Sequence, residues 1–328
     1  MCGICGQFRF DGGFVSSKSL DDMMSKLARR GPDSKGKWLQ GKVGFGHQRL
    51  SVIDLSNLGS QPMVDELLKL TLVFNGTIYN YKSLRTLLIG KGYDFLSNSD
   101  TEVIIKAYHF WGEDCVKHLD GMFAFAIWDE SSQQLFVARD RMGIKPLYFN
   151  ITTVAFTFAS NSQALLTQEL DKSINPVALH QQLSLHGVVP APNTIINGIR
   201  KLKPGTFVTL SSDGKLREKT YWHPSAKRLE KNISDQDYIE RTHELLTVAV
   251  MKRMSASDVP IGVLLSGGLD SSLIVALLKE AGHEDIRTFS IGFEDIDDEV
   301  GSEFEYSDQI VSRFNTQHKK YQVSNKEV

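Results

Sequence analysis

The chain opens Met1-Cys2-Gly3-Ile4. If the initiator methionine is removed, Cys2 becomes the first residue and carries a nucleophilic sulfur beside a free α-amine. The thiolate is the attacking species, and an α-amine titrates near pH ~8, so one residue can supply both nucleophile and general base. For a lone cysteine the plainer reading is a small, buried, silent side chain near the start of a strand. The segments that follow turn the preference toward the nucleophile. Cys2-x-x-Cys5 formally matches a redox or metal-binding pair. Zinc would need two further ligands, however, and a thioredoxin-type motif sits between a strand and a helix rather than at a chain terminus.

A second chemical signal is Ser266-Gly267-Gly268-Leu269-Asp270-Ser271-Ser272, placed between an apolar strand and a helix start. Backbone N–H groups and the helix dipole favour phosphate there, glycines allow close backbone approach, and the serine hydroxyls add donors. No Gly-Lys-Ser/Thr follows, so this is not a Walker A loop. Gly-Gly alone would read as an ordinary turn capped by Asp270. Three serines and an aspartate in the same turn favour phosphate binding. The acidic stretch Glu294-Asp295-Ile296-Asp297-Asp298-Glu299 reads as a solvated loop rather than a Mg²⁺-linked one.

The elements that must position these groups form a β-rich front and an α/β rear. A length of 328 residues suggests about two domains, and 41% hydrophobic with 23% charged residues is ample for packed cores. A net charge of −2 gives no footprint for nucleic acid or an anionic membrane. No apolar run approaches the ~20 residues that span a bilayer, and no basic-then-apolar leader is present. Three cysteines (Cys2, Cys5, Cys115) make no disulfide framework, and the sequence reads as a reduced, cytoplasmic protein.

In the front, Phe8–Phe10, Val43–His47, Leu70–Phe74 and Met122–Asp129 carry strand composition. Gln134–Arg139 follows Met122–Asp129 at hairpin spacing. Helices are expected from Tyr81 to about Lys91 and from Thr101 to Trp111. Proline and glycine punctuate residues 186–233, which read as a connection with a short strand at Thr206–Leu210. Beyond it, Ser234 caps a long helix with Asp237 three residues on and an apolar face of Ile239, Leu246, Val250 and Met254. Strand Ile261–Leu265, helix Ser271–Ala281 and strand Ile286–Ile291 then make one β-α-β unit and a parallel sheet, whose strand edges stay open unless something covers them.

Taken in order, several motifs resemble one known family. They are Cys2-Gly3-Ile4, Arg29-Arg30-Gly31-Pro32-Asp33, Gly46-His47-Gln48-Arg49-Leu50-Ser51, Phe74-Asn75-Gly76-Thr77-Ile78-Tyr79-Asn80, Asn98-Ser99-Asp100-Thr101-Glu102, Gly121–Ala126, Asp140–Tyr148 and Val263–Ser272. The chain is similar to the asparagine synthetase family of class II, N-terminal-Cys glutamine amidotransferases. The resemblance implies an α+β, N-terminal-nucleophile, four-layer αββα glutaminase domain over residues 2–185. After the connection comes an incomplete α/β PP-loop ATP pyrophosphatase domain over 234–328, ending before the family's acceptor pocket.

It further implies that Cys2 attacks the side-chain amide of glutamine, with Asn75 and Gly76 holding the oxyanion. Arg49 and Leu50 would lie at the substrate carboxylate, and Thr77 and Asp100 at its ammonium. ATP would contact Leu265, Ser266, Gly267, Gly268, Asp270, Ser271 and Ile291, with Mg²⁺ neutralising the phosphates. The acceptor would be a small carboxylate, aspartate or N-acetylglutaminylglutamine. The latter subgroup is suggested by Thr77, where the family usually has Glu, and by Val188–Pro192. The resemblance leaves a homodimer open, and no metal site is assigned. A stand-alone glutaminase and a non-catalytic binding protein that keeps Met1 are the alternatives.

Overall fold

A computed structural model describes residues 1–226, 233–294 and 301–324. The chain divides into two compact units that part after Ala226.

In the first unit the strands are β1 (Gly3–Arg9), β2 (Ser34–Gln40), β3 (Val43–Arg49), β4 (Met63–Asp65), β5 (Leu70–Ile78), β6 (Gly121–Asp129), β7 (Gln134–Arg139), β8 (Tyr148–Ile151), β9 (Ala155–Ala159), β10 (Arg200–Lys201), β11 (Thr206–Leu210) and β12 (Leu216–Thr220). Its helices are α1 (Ser17–Ser25), α2 (Tyr81–Ile89), α3 (Asp100–Trp111), α4 (Cys115–His118), α5 (Ser162–Leu165) and α6 (Pro176–Ser184). Two six-stranded sheets result, ordered β10-β8-β9-β1-β3-β2 and β12-β11-β7-β6-β5-β4.

Alternation along each strand explains the layers, because successive side chains point to opposite faces. Ile4, Phe8, Val43 and Phe45 of one sheet meet Val73, Ala124, Ala126, Leu135 and Val137 of the other in a shared core. On the outer face of the first sheet, Cys5 packs with Leu20, Met23 and Met24 of α1 and with Ala164 of α5. On the outer face of the second, Leu72, Phe74 and Phe125 pack with Leu84 and Leu88 of α2 and Val103, Ile104 and Ala107 of α3. The result is the four-layer αββα arrangement. It buries β1, β3 and β9 on both faces, so their sequences run apolar or small instead of alternating.

The expected hairpin is present, with Ala124 opposite Arg139 and Asp129 opposite Gln134. The segment read as a connection from residue 186 is instead part of the first unit as far as Ala226. Phe207, Val208 and Leu210 of β11 are fully buried and pair with β7.

In the second unit α7 (Asp235–Ser255) begins with the expected Ser234–Asp237 capping box. Val250 and Met254 pack on its small core, whereas Ile239 is 63% exposed, so only the C-terminal half of the anticipated apolar face is covered. Strands β13 (Gly262–Leu264), β14 (Arg287–Phe293) and β15 (Gln317–Val323), with helices α8 (Leu269–Glu280) and α9 (Phe304–Phe314), form a parallel sheet ordered β13-β14-β15. The sequence predicts only the first two strands. The third has a polar, largely exposed sequence, Gln-His-Lys-Lys-Tyr-Gln-Val, that carries no apolar strand signal. It pairs the edge of β14 that was expected to stay open. The acidic stretch beyond Glu294 lies outside the described residues.

One turn is held with unusual thoroughness. The buried Asp140 carboxylate accepts from the N–H groups of Phe123 (3.1 Å), Met142 (3.1 Å), Ile144 (2.9 Å) and Lys145 (2.9 Å). Arg139 ties the same turn from its other side by donating to the carbonyls of Gly143, Lys145 and Leu202. Asp140→Ala leaves four donors without their acceptor and should destabilise the first unit by about 3 kcal/mol. A lower urea midpoint with unchanged slope is the expected result; an unshifted midpoint would mean that the turn is held by Arg139 alone.

Candidate active site

Cys2 sits at the entry to β1. The register that places Gly3 opposite Gln48 brings it beside the end of β3. Its Sγ lies between two backbone groups of Leu50: the N–H donates to sulfur at 3.3 Å, and the thiol faces the carbonyl oxygen at 3.6 Å. Burial pushes the Cys2 thiol above its ordinary pKa, and the Leu50 contact and the N-terminal charge partly oppose this. By comparison Cys5 is pushed up to about 12 by complete burial, and Cys115 is raised for the same reason. Neither is placed to act as a nucleophile.

The parity that faces Ile4 into the inter-sheet layer also faces Cys2 that way. On β3 it aligns Arg49 with Val43 and Phe45, and on β5 it aligns Asn75 and Thr77 with Val73. Asn75 is 1% exposed, yet neither Oδ1 nor Nδ2 has a hydrogen-bond partner among the described residues. Each such buried group costs on the order of 1–3 kcal/mol, so an unpaired carboxamide on the same inter-sheet face as Cys2 is a candidate binding group. Gly76 is required by close approach, since a Cβ there would lie 2.2 Å from the Met122 carbonyl oxygen.

Arg49 is buried, and its guanidinium donates to the carbonyls of Ser56 (2.9 Å) and Asp54. Two of five N–H donors are thereby engaged, which leaves three for a ligand. Asp100 opens α3, where the helix dipole favours a carboxylate, and accepts from the Ile78 N–H at 3.0 Å. Cys2, Arg49, Gly76, Thr77 and Asp100 line one small cavity, together with Gln61. Leu50 and Asn75 are not among its lining residues; Leu50 acts on the sulfur through its backbone, and Asn75 lies buried in the inter-sheet layer. The cavity encloses about 30 Å³, enough for one or two waters.

Three residues inside quoted motifs had been given no role. His47 is 1% exposed and neutral, its pKa pushed down to about 3 by burial. Arg30 donates from Nε to the Cys2 carbonyl at 3.0 Å. Lys145 is buried with its ammonium 3.2 Å from the Met1 sulfur. The available signal was parity: His47 and Arg49 both occupy inward positions on an otherwise apolar strand.

In the second unit, Leu265, Ser266 and Ile291 line a cavity of about 330 Å³ with Ser290, Phe293 and Phe304, a volume within the range of small-molecule sites. Gly267, Gly268, Asp270 and Ser271 are not in its lining but form the adjoining turn and helix start. Gly267 has φ +85° and comes so close to Tyr306 that a Cβ would meet its backbone at 2.5 Å. Ser266 and Ser271 hydroxyls stand 3.1 Å apart. At the head of α8 the Ser266 and Gly268 N–H groups donate to the Ser271 and Ser266 hydroxyls, and the Ser271 and Ser272 hydroxyls donate to the Gly268 carbonyl, so this donor set fits phosphate once those internal bonds are exchanged for it. Among the described residues no group of His, Cys, Asp or Glu could hold a metal ion, and no helix is long and apolar enough to cross a membrane.

Comparison with known proteins bears on both units. Asparagine synthetase [glutamine-hydrolyzing] 1 of Bacillus subtilis (strain 168) is 38% identical over 297 residues, which is 90% of this chain and 46% of that protein. A putative asparagine synthetase [glutamine-hydrolyzing] 2 of Methanocaldococcus jannaschii is 36% identical over 98% of this chain and 64% of its own length. The chain therefore spans about half to two thirds of these curated relatives. Among solved structures, a glutamine phosphoribosylpyrophosphate amidotransferase from B. subtilis, complexed with ADP and GMP, aligns with a TM-score of 0.52. The alignment covers 99% of this chain and 91% of that one at 15% identity, a likeness of fold alone. The asparagine synthase family model matches residues 241–328, and the glutamine amidotransferase domain model matches residues 1–222. The chain belongs to the glutamine amidotransferase family, in the asparagine synthetase arrangement of an amidotransferase domain followed by synthase-type sequence.

Proposed function

We propose that the first unit hydrolyses glutamine at Cys2 and that the ammonia serves an ATP-dependent amidation of a small carboxylate. The relatives' names support asparagine synthetase chemistry; the acceptor in this reading is aspartate or N-acetylglutaminylglutamine. The observation that carries it is the buried Asn75 carboxamide, without a partner among the described residues, in the layer that also holds Cys2, Arg49 and Thr77.

Once Met1 is removed, the Cys2 α-amine takes the thiol proton and Sγ attacks the glutamine side-chain carbonyl carbon. The carbonyl π electrons move to oxygen, and Asn75 Nδ2 and the Gly76 N–H receive that oxyanion. A donor so aimed is worth ~3–4 kcal/mol. Collapse breaks the C–N bond, the amine returns its proton to the leaving nitrogen, and water then hydrolyses the thioester to glutamate. Arg49 holds the substrate carboxylate with its remaining donors, and Asp100 and Thr77 hold the ammonium. In the second unit the Ser266–Ser272 turn would take the pyrophosphate of ATP, with Leu265 and Ile291 beside the base, and Mg²⁺ arriving with the nucleotide would neutralise its phosphates.

Cys2→Ala should abolish glutamine hydrolysis while the urea midpoint stays near wild type. Cys5→Ala and Cys115→Ala should retain turnover. Full glutaminase activity in Cys2→Ala would sink the reading.

Thr77→Glu adds a carboxylate beside Asp100 in the cavity wall. It should lower KM for glutamine with little change in kcat, as expected for a contact made equally in ground and transition states. Steady-state kinetics decide this, and a raised KM would show that the ammonium site is built without position 77.

A further inference from the structure

The Asp140 turn delivers a side chain that glutamine hydrolysis, as written above, does not use. Lys145 is 4% exposed, and its ammonium points at the chain start, 3.2 Å from the Met1 sulfur. Arg30 approaches the same corner, with Nε on the Cys2 carbonyl at 3.0 Å and Nη2 buried without a partner among the described residues. Two cations therefore flank the peptide that must be cut to free Cys2.

The titratable and charged groups facing this corner are Arg30, Asp33, Arg49, Asp100, Asp140 and Tyr148. Its anions are already engaged with backbone. Asp33 accepts from the Ser51 N–H at 2.8 Å, Asp100 from Ile78, and Asp140 from four N–H groups of its own turn and β6. Arg30 and Lys145 are the cations acting at the chain start, opposed there by Asp33, and Asp140 and Arg139 hold the backbone from which Lys145 projects.

We propose that Lys145 is a positioning residue for glutamine hydrolysis. Its buried ammonium shares a corner with the α-amine that Met1 removal frees on Cys2, and it keeps that amine unprotonated with its lone pair available for the thiol proton. The assignment rests on the glutaminase reading of Cys2. Two ammonium groups cannot both persist in one buried corner, and the weaker base gives up its proton. A free lysine binds its proton about 2 pH units more tightly than an α-amine; burial and then Arg30 lower the Lys145 pKa while Cys2 and Asp140 raise it, and in this assignment the lysine keeps the proton and the amine is neutral. With Met1 in place, the Met1 amine shows this direction: burial lowers its pKa most, and Lys145 and Arg30 lower it further against Cys2 and Asp33.

The test uses the full chain, with Met1 removal verified by intact mass, and follows kcat/KM for glutamine hydrolysis against pH. In Lys145→Met the amine regains proton affinity, so the acidic limb should move up by about one pH unit. Turnover on that limb should then fall about tenfold, while the rates converge with wild type at high pH. Lys145→Arg keeps the charge and should keep the wild-type limb. An unmoved limb in a folded Lys145→Met protein overturns the assignment. As a readout independent of turnover and of the variants, the α-amine of ¹⁵N-cysteine-labelled, processed wild type is titrated by NMR. Titration well below the ordinary value near ~8 supports the assignment, and titration at or above it overturns it. A processed chain that hydrolyses no glutamine yet shows the low titration removes the glutaminase reading and leaves the electrostatic assignment standing.

Discussion

The antiparallel pairing of β1 with β3 is the constraint from which the site follows. Gly3 lies opposite Gln48, so the residue that begins the chain is set beside Arg49 and Leu50 at the end of β3. A slip of one residue would turn Cys2 to the outer face, among the residues that pack on α1. It would also put Gly6, which touches Phe45 and Phe158 with no room for a Cβ, out of register with its neighbours. The same parity on β5 carries Asn75 and Thr77 inward. Nucleophile, carboxamide and guanidinium share one inter-sheet face because three strands alternate in phase, although the residues span some seventy positions in sequence.

Much of the local structure was legible. The 121–139 hairpin announces itself by dense aromatic and aliphatic strands around Glu-Ser-Ser-Gln, and the Ser234–Asp237 box by its side-chain chemistry. What escaped depends on contacts distant in sequence. The region from residue 186 to Ala226 looks like a linker because proline and glycine recur in it, yet β11 gains burial from β7, some seventy residues earlier. The polar strand β15 exists because β14 offers an unpaired edge. As for the site, Cys2 could be singled out from its place in the chain. Arg49, Asp100 and Asn75 needed the resemblance, because isolated polar residues on strands and helix starts have commoner uses. Lys145 and His47 stayed silent because burial, which gives a polar group its meaning, is invisible in a one-dimensional pattern.

The first unit concentrates unusual polar burial at one end. A neutral imidazole, a guanidinium nitrogen without an acceptor among the described residues and a buried ammonium gather near the start of the chain, and Asn75, also without a partner among the described residues, shares the inter-sheet face. Elsewhere the inter-sheet layer is aromatic and aliphatic. Each of these groups costs stability that the aromatic layers must offset, and such local conflict with packing rules is expected where a protein does chemistry.

The cavity at Cys2 has a consequence for affinity. Arg49 is clasped by the carbonyls of Asp54 and Ser56, Asp54 adopts a left-handed backbone (φ +50°), and Gly59 packs against the guanidinium. The space between these walls, which opens to solvent, has room for only a water or two. If seating an amino acid against Arg49 requires the 50–60 segment to move, the observed dissociation constant is the intrinsic one divided by the fraction of molecules in which it has moved. If one molecule in a hundred is open, recognition is weakened about a hundredfold without any change in a single contact. Substrate affinity in this fold is then set as much by the grip of a loop on its own arginine as by the groups that touch the ligand.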